Sequence, residues 1–132
     1  LARDATAAAR SGRSPALMAL LEEKGELTAA DVSQAVAQGD AVAVQLVRDG
    51  GRRVGEILAS LVSFFNPGLI VIGGGVTALG HSLLAEIRGV IYRRSLPLAT
   101  GNLPIVLSEL GNEAGVIGAA RMISDAVFDA PR

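Results

Sequence analysis

Apolar residues recur about every 3.6 positions through much of the chain, a spacing typical of helices that bury one face. The longest such pattern starts at Gly39-Asp40 and ends at Phe65. Asn66-Pro67 closes it, because proline cannot continue the backbone hydrogen-bond ladder of a helix. Gly50-Gly51 lies in its middle and costs about 1 kcal/mol per glycine relative to alanine. That cost indicates close packing, a kink or a break at this point.

Shorter helical patterns fill the first 38 residues, which we expect to form a helical entry segment. Asp4–Arg10 is rich in alanine and predicts a helix. Ser14 precedes Pro15, a combination typical of an N-cap and a first helical turn. Thr28 is a second N-cap candidate, with Asp31 three positions later as its capping-box partner.

Two short apolar runs predict β-strands near residues 69–72 and 104–108. Both are rich in β-branched residues and lack polar alternation, which favours strands buried on both faces. An amphipathic helix is predicted at residues 79–94, between the strands, and a last helix at residues 113–128. Residues 39–132 thus form a helix-β-α-β-α core, whose strands should be parallel. We expect a single domain, 1–132, of the α/β class.

Two strands alone do not make a stable sheet. The predicted strands therefore need neighbours, either from sequence upstream of residue 1 or from another chain. The chain begins at Leu1 and not at methionine, which fits a fragment of a larger protein. We expect the isolated chain to form homo-oligomers or to expose an apolar sheet edge.

Composition narrows the possible functions. Half of the 132 residues are hydrophobic, and 12 basic residues against 13 acidic ones give a net charge of -1. This balance shows no basic surplus for nucleic acid. Cysteine is absent, so disulfides and zinc-thiolate sites are excluded within the chain. We predict no catalytic residue and no metal site, since His81 is the only histidine and no nucleophile or carboxylate cluster stands out. No apolar stretch is long enough to cross a membrane.

Gly73, Gly74 and Gly75 follow the first predicted strand and are the main candidate site. Glycine permits a sharp turn and close approach of a ligand to the backbone. Ligands of open α/β sheets bind outside the carboxyl ends of strands. The glycines and Ala78 fit a dinucleotide fingerprint, but no acidic residue follows at the expected distance. A tight turn without ligand, or a turn lining a phosphate or nucleotide cleft, fits better.

A second notable stretch runs from Gly111 to Ala120 at the start of the last predicted helix. Gly115 and Ala119, and likewise Ala114 and Gly118, place small residues four positions apart. Small residues let a helix pack closely on the sheet or on the preceding glycine turn. A helix N-terminus that faces an anion is the alternative.

Several stretches in combination resemble the carboxyl-terminal part of ROK-family proteins (repressor, open reading frame, kinase). The resemblance extends from Asp31 to Phe128. Four stretches carry it: Gly39-Asp40 before a long helix, Asn66-Pro67 before Ile70–Gly75, Tyr92–Thr100, and Gly111 with Ala114–Ala120.

The resemblance implies that the chain is a helix-rich fragment of a ribonuclease-H-like (actin-like ATPase) lobe. Within a two-lobed ROK-type protein, it would be the carboxyl-terminal portion of the second lobe. It places Gly73, Gly74 and Gly75 on the nucleotide side of the cleft, as a turn that in a regulator need not bind nucleotide. The family's Asp-x-Gly-x-Thr phosphate motif, catalytic Asp region and zinc motif have no match in the chain. We therefore expect no cofactor within the chain. ATP is expected to bind only if the parent protein is a kinase.

Three segments resemble sugar-responsive regulators more than glucokinases: Tyr92–Thr100, the predicted strand at Ile105–Leu107 and the tail Asp125–Phe128. The leading hypothesis is an effector-sensing and dimerisation portion of a transcriptional regulator of sugar metabolism. The alternative is the ATP-side fragment of a sugar kinase. The resemblance implies a cytoplasmic protein whose parent binds a sugar effector, and binds DNA only through an amino-terminal domain absent from this chain.

Overall fold

A computed structural model describes residues 1–94 and 103–110 of the chain. Five α-helices occur there, with two short strands and a 3-10 helix at Gly75–Leu79. They are α1 Ala2–Arg10, α2 Pro15–Lys24, α3 Ala29–Ala37, α4 Ala41–Phe65, β1 Ile70–Ile72, α5 Gly80–Arg94 and β2 Ile105–Leu107. The predicted helix at 113–128 and the small-residue stretch at 111–120 lie outside the described residues, as do residues 95–102.

The predicted helix ends are confirmed where the structure describes them. The Ser14 hydroxyl accepts a hydrogen bond from the Leu17 amide at 3.1 Å, with Pro15 as the first helical residue. Thr28 and Asp31 form a reciprocal capping box at the start of α3. Asn66 ends α4 in the left-handed conformation, with φ 46°. These caps satisfy backbone groups that a helix cannot pair internally.

Two helix caps are also joined to each other. Asp40 caps α4 by accepting from the Ala43 amide at 2.8 Å through one carboxylate oxygen. Its other oxygen accepts a hydrogen bond from the Ser14 hydroxyl, also at 2.8 Å. Ser14 is fully buried. The start of α2 is therefore tied directly to the start of the long helix.

Helix α4 runs without a break through Gly50-Gly51 and packs closely on α5. A methyl group on Gly51 would lie 2.6 Å from Glu86 Cβ, and one on Gly55 would lie 2.7 Å from Val90 Cβ. Both distances are too short for real contacts between carbon atoms, so the two backbones approach where side chains are absent. Of the three possibilities for Gly50-Gly51, close packing is the one observed, and Gly51 provides it.

The strands β1 and β2 pair in parallel, as predicted, with Ile70 opposite Ile105 and Val71 opposite Val106. Arg88 on α5 donates a hydrogen bond to the Ile105 carbonyl at 2.8 Å, which holds α5 against β2. The fold class, helix-rich α/β with two parallel strands, is confirmed for the described residues.

The expectation that both faces of the strands are buried is wrong for the described structure. Ile105 is 1% exposed, whereas Val71 is 56% exposed and Val106 39% exposed. Side chains alternate across a strand, so the isoleucines and the valines point to opposite faces. Within residues 1–94 and 103–110, helices cover only the face that carries Ile70, Ile72 and Ile105.

One hydrophobic core joins the entry helices to the rest of the described chain. Its buried cluster includes Leu17 and Val32 from the entry helices, Val47 from α4 and Ile87 from α5. Helix α3 packs against the 3-10 helix that follows the glycine turn. Helix α3 therefore supports the 3-10 helix into which the glycine turn leads. Among the described helices, none is both long and apolar enough to cross a membrane.

Candidate functional site

The glycine turn lies directly after β1, at the carboxyl end of the strand. Gly74 has φ 86° and ψ -171°, a backbone conformation open to glycine and strained for other residues. A methyl group on Gly74 would meet no atom within 4 Å. The requirement for glycine is therefore conformational and does not come from crowding.

The turn is closed by Thr77 in the 3-10 helix. Its amide donates to the Gly74 carbonyl at 3.1 Å, and its hydroxyl donates to the same oxygen at 2.9 Å. Both bonds hold Gly74 in place as the cap of the 3-10 helix. The turn is thus a defined loop whose first and last glycines, Gly73 and Gly75, are exposed.

Parallel pairing brings the end of β2 beside the turn. The Ser108 amide donates to the Ile72 carbonyl at 2.7 Å, and the Ser108 hydroxyl accepts from the Leu110 amide at 3.2 Å. Glu109 is exposed next to it. The carboxyl edge of the two strands therefore carries a glycine turn, a hydroxyl and a carboxylate. These groups can bind polar groups of a ligand.

A cavity of about 350 Å³ lies beside the turn, between α4, α5 and the end of β1. Its wall is mostly apolar, and Ile72 and Val76 flank the glycine turn within it. The polar groups that reach it are Asp4, Asp49 and Arg53. Its volume falls in the range of small-ligand pockets.

Ionisable groups with shifted pKa values lie elsewhere in the described chain. Lys24 donates a hydrogen bond to Asp31, and together with Thr28 it holds the pKa of that carboxyl below its usual range. The same contact raises the pKa of Lys24. This pair joins α2 to α3 and acts structurally. Among the described residues, no group of three or more His, Asp or Glu side chains could hold a metal ion.

Sequence reasoning located the glycine turn but missed its partners. It gave no role to Thr77, whose hydrogen bonds shape the turn, or to Ser108, which the parallel register places beside it. The β2 run itself was the available signal for Ser108, because neighbouring parallel strands end at the same edge. The nucleotide-side role of Gly73, Gly74 and Gly75 stays a prediction. The small-residue stretch expected to pack near them lies outside the described residues.

Comparison with known proteins identifies relatives over nearly the whole chain. Residues 7–126 match the family described as the ROK family. A glucokinase of Halalkalibacterium halodurans is 34% identical over 93% of this chain. The DNA-binding transcriptional dual regulator NagC of Escherichia coli K12 is 32% identical over 79% of it.

A solved structure of a ROK family transcriptional regulator, a homolog of the E. coli MLC protein, covers 80% of this chain with a TM-score of 0.68 and 30% identity. Each match covers only part of the relative's own length. The chain spans 37% of the glucokinase, 25% of NagC and 26% of the solved regulator.

Proposed function

The chain belongs to the ROK family, and we propose that it is the carboxyl-terminal effector-sensing and dimerisation portion of a transcriptional regulator of sugar metabolism. The observation that carries the proposal is the alignment with regulators. NagC and the solved regulator each align with about four fifths of the chain, at 32% and 30% identity.

The geometry of the strand-end edge supports a binding role. Its described groups are glycine backbone, the Thr77 and Ser108 hydroxyls and the Glu109 carboxylate. The Thr77 hydroxyl already donates to Gly74. Such an edge can contact a polar ligand through its backbone amides and hydroxyls.

In this proposal residues 1–132 are the carboxyl-terminal portion of the second lobe of a ribonuclease-H-like (actin-like ATPase) protein. The entry helices and the helix-β-α-β-α core form one domain of it. The parent protein is cytoplasmic, binds a sugar effector and contacts DNA through an amino-terminal domain. The chain needs no cofactor of its own.

The test uses the longer polypeptide that carries this segment. We expect it to bind DNA from the control region of its own operon, and one sugar from a panel including xylose, N-acetylglucosamine and glucose to release that DNA. Electrophoretic mobility shift with each sugar measures both effects. The proposal fails if no DNA is bound at any sugar concentration while the protein turns over ATP with a sugar.

The second candidate is the ATP-side fragment of a sugar kinase. It is favoured by the glucokinase relative, which aligns with 93% of the chain. In that case Gly73, Gly74 and Gly75 contact ATP in the parent. A Gly74→Ala variant of the parent should then raise the KM for ATP, because the turn cannot keep its conformation with a side chain.

Gly68→Ala is the matched control for this variant. Gly68 also lies beside β1, but its φ is outside the left-handed region and a methyl group there meets nothing within 4 Å. In a regulator, Gly74→Ala should leave DNA affinity unchanged, and the parent should show no sugar-dependent ATP turnover. We expect no turnover from the 132-residue chain in either case.

A further inference from the structure

The 3-10 helix at Gly75–Leu79 joins the glycine turn to α5 and lies between two glycine joints. Gly74 precedes it with φ 86° and ψ -171°, and Gly80 follows it with φ 59° and ψ -139°. Both conformations belong to the left-handed half of backbone space that favours glycine. A methyl group at either position would meet no atom within 4 Å. Crowding therefore fixes neither joint, and the orientation of the 3-10 helix depends on what packs against it.

Helix α3 is the principal packing partner of the 3-10 helix among the described elements. Leu79 of the 3-10 helix is buried in the same apolar cluster as Val32 and Ala35 of α3. Because protein interiors are close-packed, a shift of α3 must move the 3-10 helix with it. Thr77 in that helix donates two hydrogen bonds to the Gly74 carbonyl. A displacement of α3 is therefore transmitted to the glycine turn.

The start of α3 is held in turn by a buried polar junction with α2. Asp31 is 2% exposed and accepts hydrogen bonds from Lys24 on α2 and from Thr28 at the helix cap. Removing one partner of a buried ion pair costs more than an exposed pair, because the remaining charge is left without compensation. The hydrogen bonds described for Asp31 all stay within this junction, so any effect on the glycine turn must pass through α3.

We propose that Lys24 and Asp31 are positioning residues of the candidate site, which set the conformation of the glycine turn through α3 and the 3-10 helix. A change that loosens the junction of α2 and α3 releases the turn. Because coupling between two sites is reciprocal, a ligand that stiffens the turn also stabilises the junction. Control of a ligand by this route rests on the function proposed for the turn, whereas the link itself is the same in a regulator and in a kinase.

A double-mutant cycle in urea unfolding tests the link. Gly74→Ala strains the turn, and we expect its effect on the unfolding equilibrium constant to be at least about threefold smaller in the Asp31→Asn background. The reason is that a released α3 lets the strained turn relax. Gly55→Ala destabilises the chain at the contact between α4 and α5, so this control background should leave the effect of Gly74→Ala unchanged. Equal effects in all three backgrounds would overturn the proposal.

Amide hydrogen exchange observes the turn itself. The Thr77 amide reports on the turn, the Val32 amide on the first turn of α3, and the Asn66 amide on the end of α4. Asp31→Asn should speed exchange at Val32 and at Thr77 by a similar factor, at least about threefold, and leave Asn66 unchanged. Faster exchange at Val32 with an unchanged rate at Thr77 would refute the link. Acceleration of all three amides alike would mean general unfolding and would also contradict it.

Lys24→Gln provides a milder variant if Asp31→Asn does not fold, and it must then show the same acceleration at Thr77. Its matched control is Arg48→Gln, which removes an exposed charge paired with Glu86 at 3.7 Å and should leave exchange at Thr77 unchanged. If the two glutamine variants act alike at Thr77, the junction does not position the turn. These measurements use no DNA, sugar or ATP, so their failure would leave the proposed function standing, and failure of that function would leave their result intact.

Discussion

Asp31 is a buried carboxylate at the junction of α2 and α3. It is 2% exposed and accepts hydrogen bonds from Lys24 and from the Thr28 amide and hydroxyl. The Lys24 hydrogen bond lowers the pKa of Asp31 most, Thr28 adds to it, and burial opposes both. The charged carboxylate therefore stabilises the junction of α2 and α3.

We expect Asp31→Asn to lower the free energy of unfolding by about 1–3 kcal/mol at pH 7, because the hydrogen bonds from Lys24 and Thr28 lose their charged, buried acceptor. The pKa is depressed in the folded state, so the stabilisation is complete above the unfolded value, near 3.9. It is lost as the pH falls through the folded-state pKa. Urea unfolding at several pH values should show that the difference in free energy of unfolding between wild type and variant becomes smaller in acid. The exposed Glu22→Gln serves as control.

Gly74 is the residue on which the candidate site depends. With φ 86° and ψ -171°, a side chain there costs about 1–3 kcal/mol of strain. Gly74→Ala should destabilise the chain by that amount, whereas Gly68→Ala should change stability by less than about 0.5 kcal/mol. Urea denaturation of both variants checks the contrast. Equal effects would show that the conformation of Gly74 imposes no strain on a side chain.

At the scale of elements, the contact between α4 and α5 organises the described structure. Gly51 and Gly55 allow the approach, and Arg94 pairs with Glu56 across it at 3.1 Å. Exposed ion pairs of this kind contribute at most about 1 kcal/mol. The glycine contacts therefore determine the packing distance more than the charges do.

Two alanine substitutions within α4 should have opposite signs. Alanine favours a helix over glycine by about 1 kcal/mol, so Gly50→Ala should stabilise the chain, since its methyl group meets only Leu1 Cδ1 at 3.7 Å. Gly55→Ala should destabilise it by about 1–3 kcal/mol through overpacking against Val90. Thermal unfolding measures both. Stabilisation by Gly55→Ala would mean that the helices separate without cost.

At the scale of the whole molecule, apolar surface remains uncovered in the described structure. Ile57, Leu61, Phe64 and Phe65 form an exposed stripe on α4, with Phe64 83% exposed. Patches of this kind mark interaction surfaces or association. The strand count led us to expect homo-oligomers, and this stays a prediction. The exposed stripe on α4 is a second surface through which copies of the chain could associate.

We expect the isolated chain to associate as its concentration rises, or to bind a dye specific for apolar surface. Phe64→Ser should weaken either effect, because it removes the most exposed aromatic ring of the stripe. Arg52→Ser, also exposed on α4, is the control and should leave both unchanged. Light scattering and dye fluorescence provide the readouts. A monodisperse monomer without dye binding would contradict the expectation.

The sequence alone determined the features that depend on near neighbours along the chain. The Ser14 and Thr28 caps, the end of α4 at Asn66 and the glycine turn were all predictable, because each needs partners only a few positions away. The parallel strands followed from the order of elements. The family resemblance also rested on short local segments, such as Asn66-Pro67 before the glycine turn, and the match over residues 7–126 confirms it.

Tertiary structure decided the features that join distant positions. No spacing rule predicts that the Ser14 hydroxyl reaches Asp40 or that Gly55 faces Val90. The exposure of Val71 also could not be predicted, because the sequence of an apolar strand does not show which of its faces another element covers. Apolar side chains show that a contact is required, and only the folded chain shows which partner supplies it.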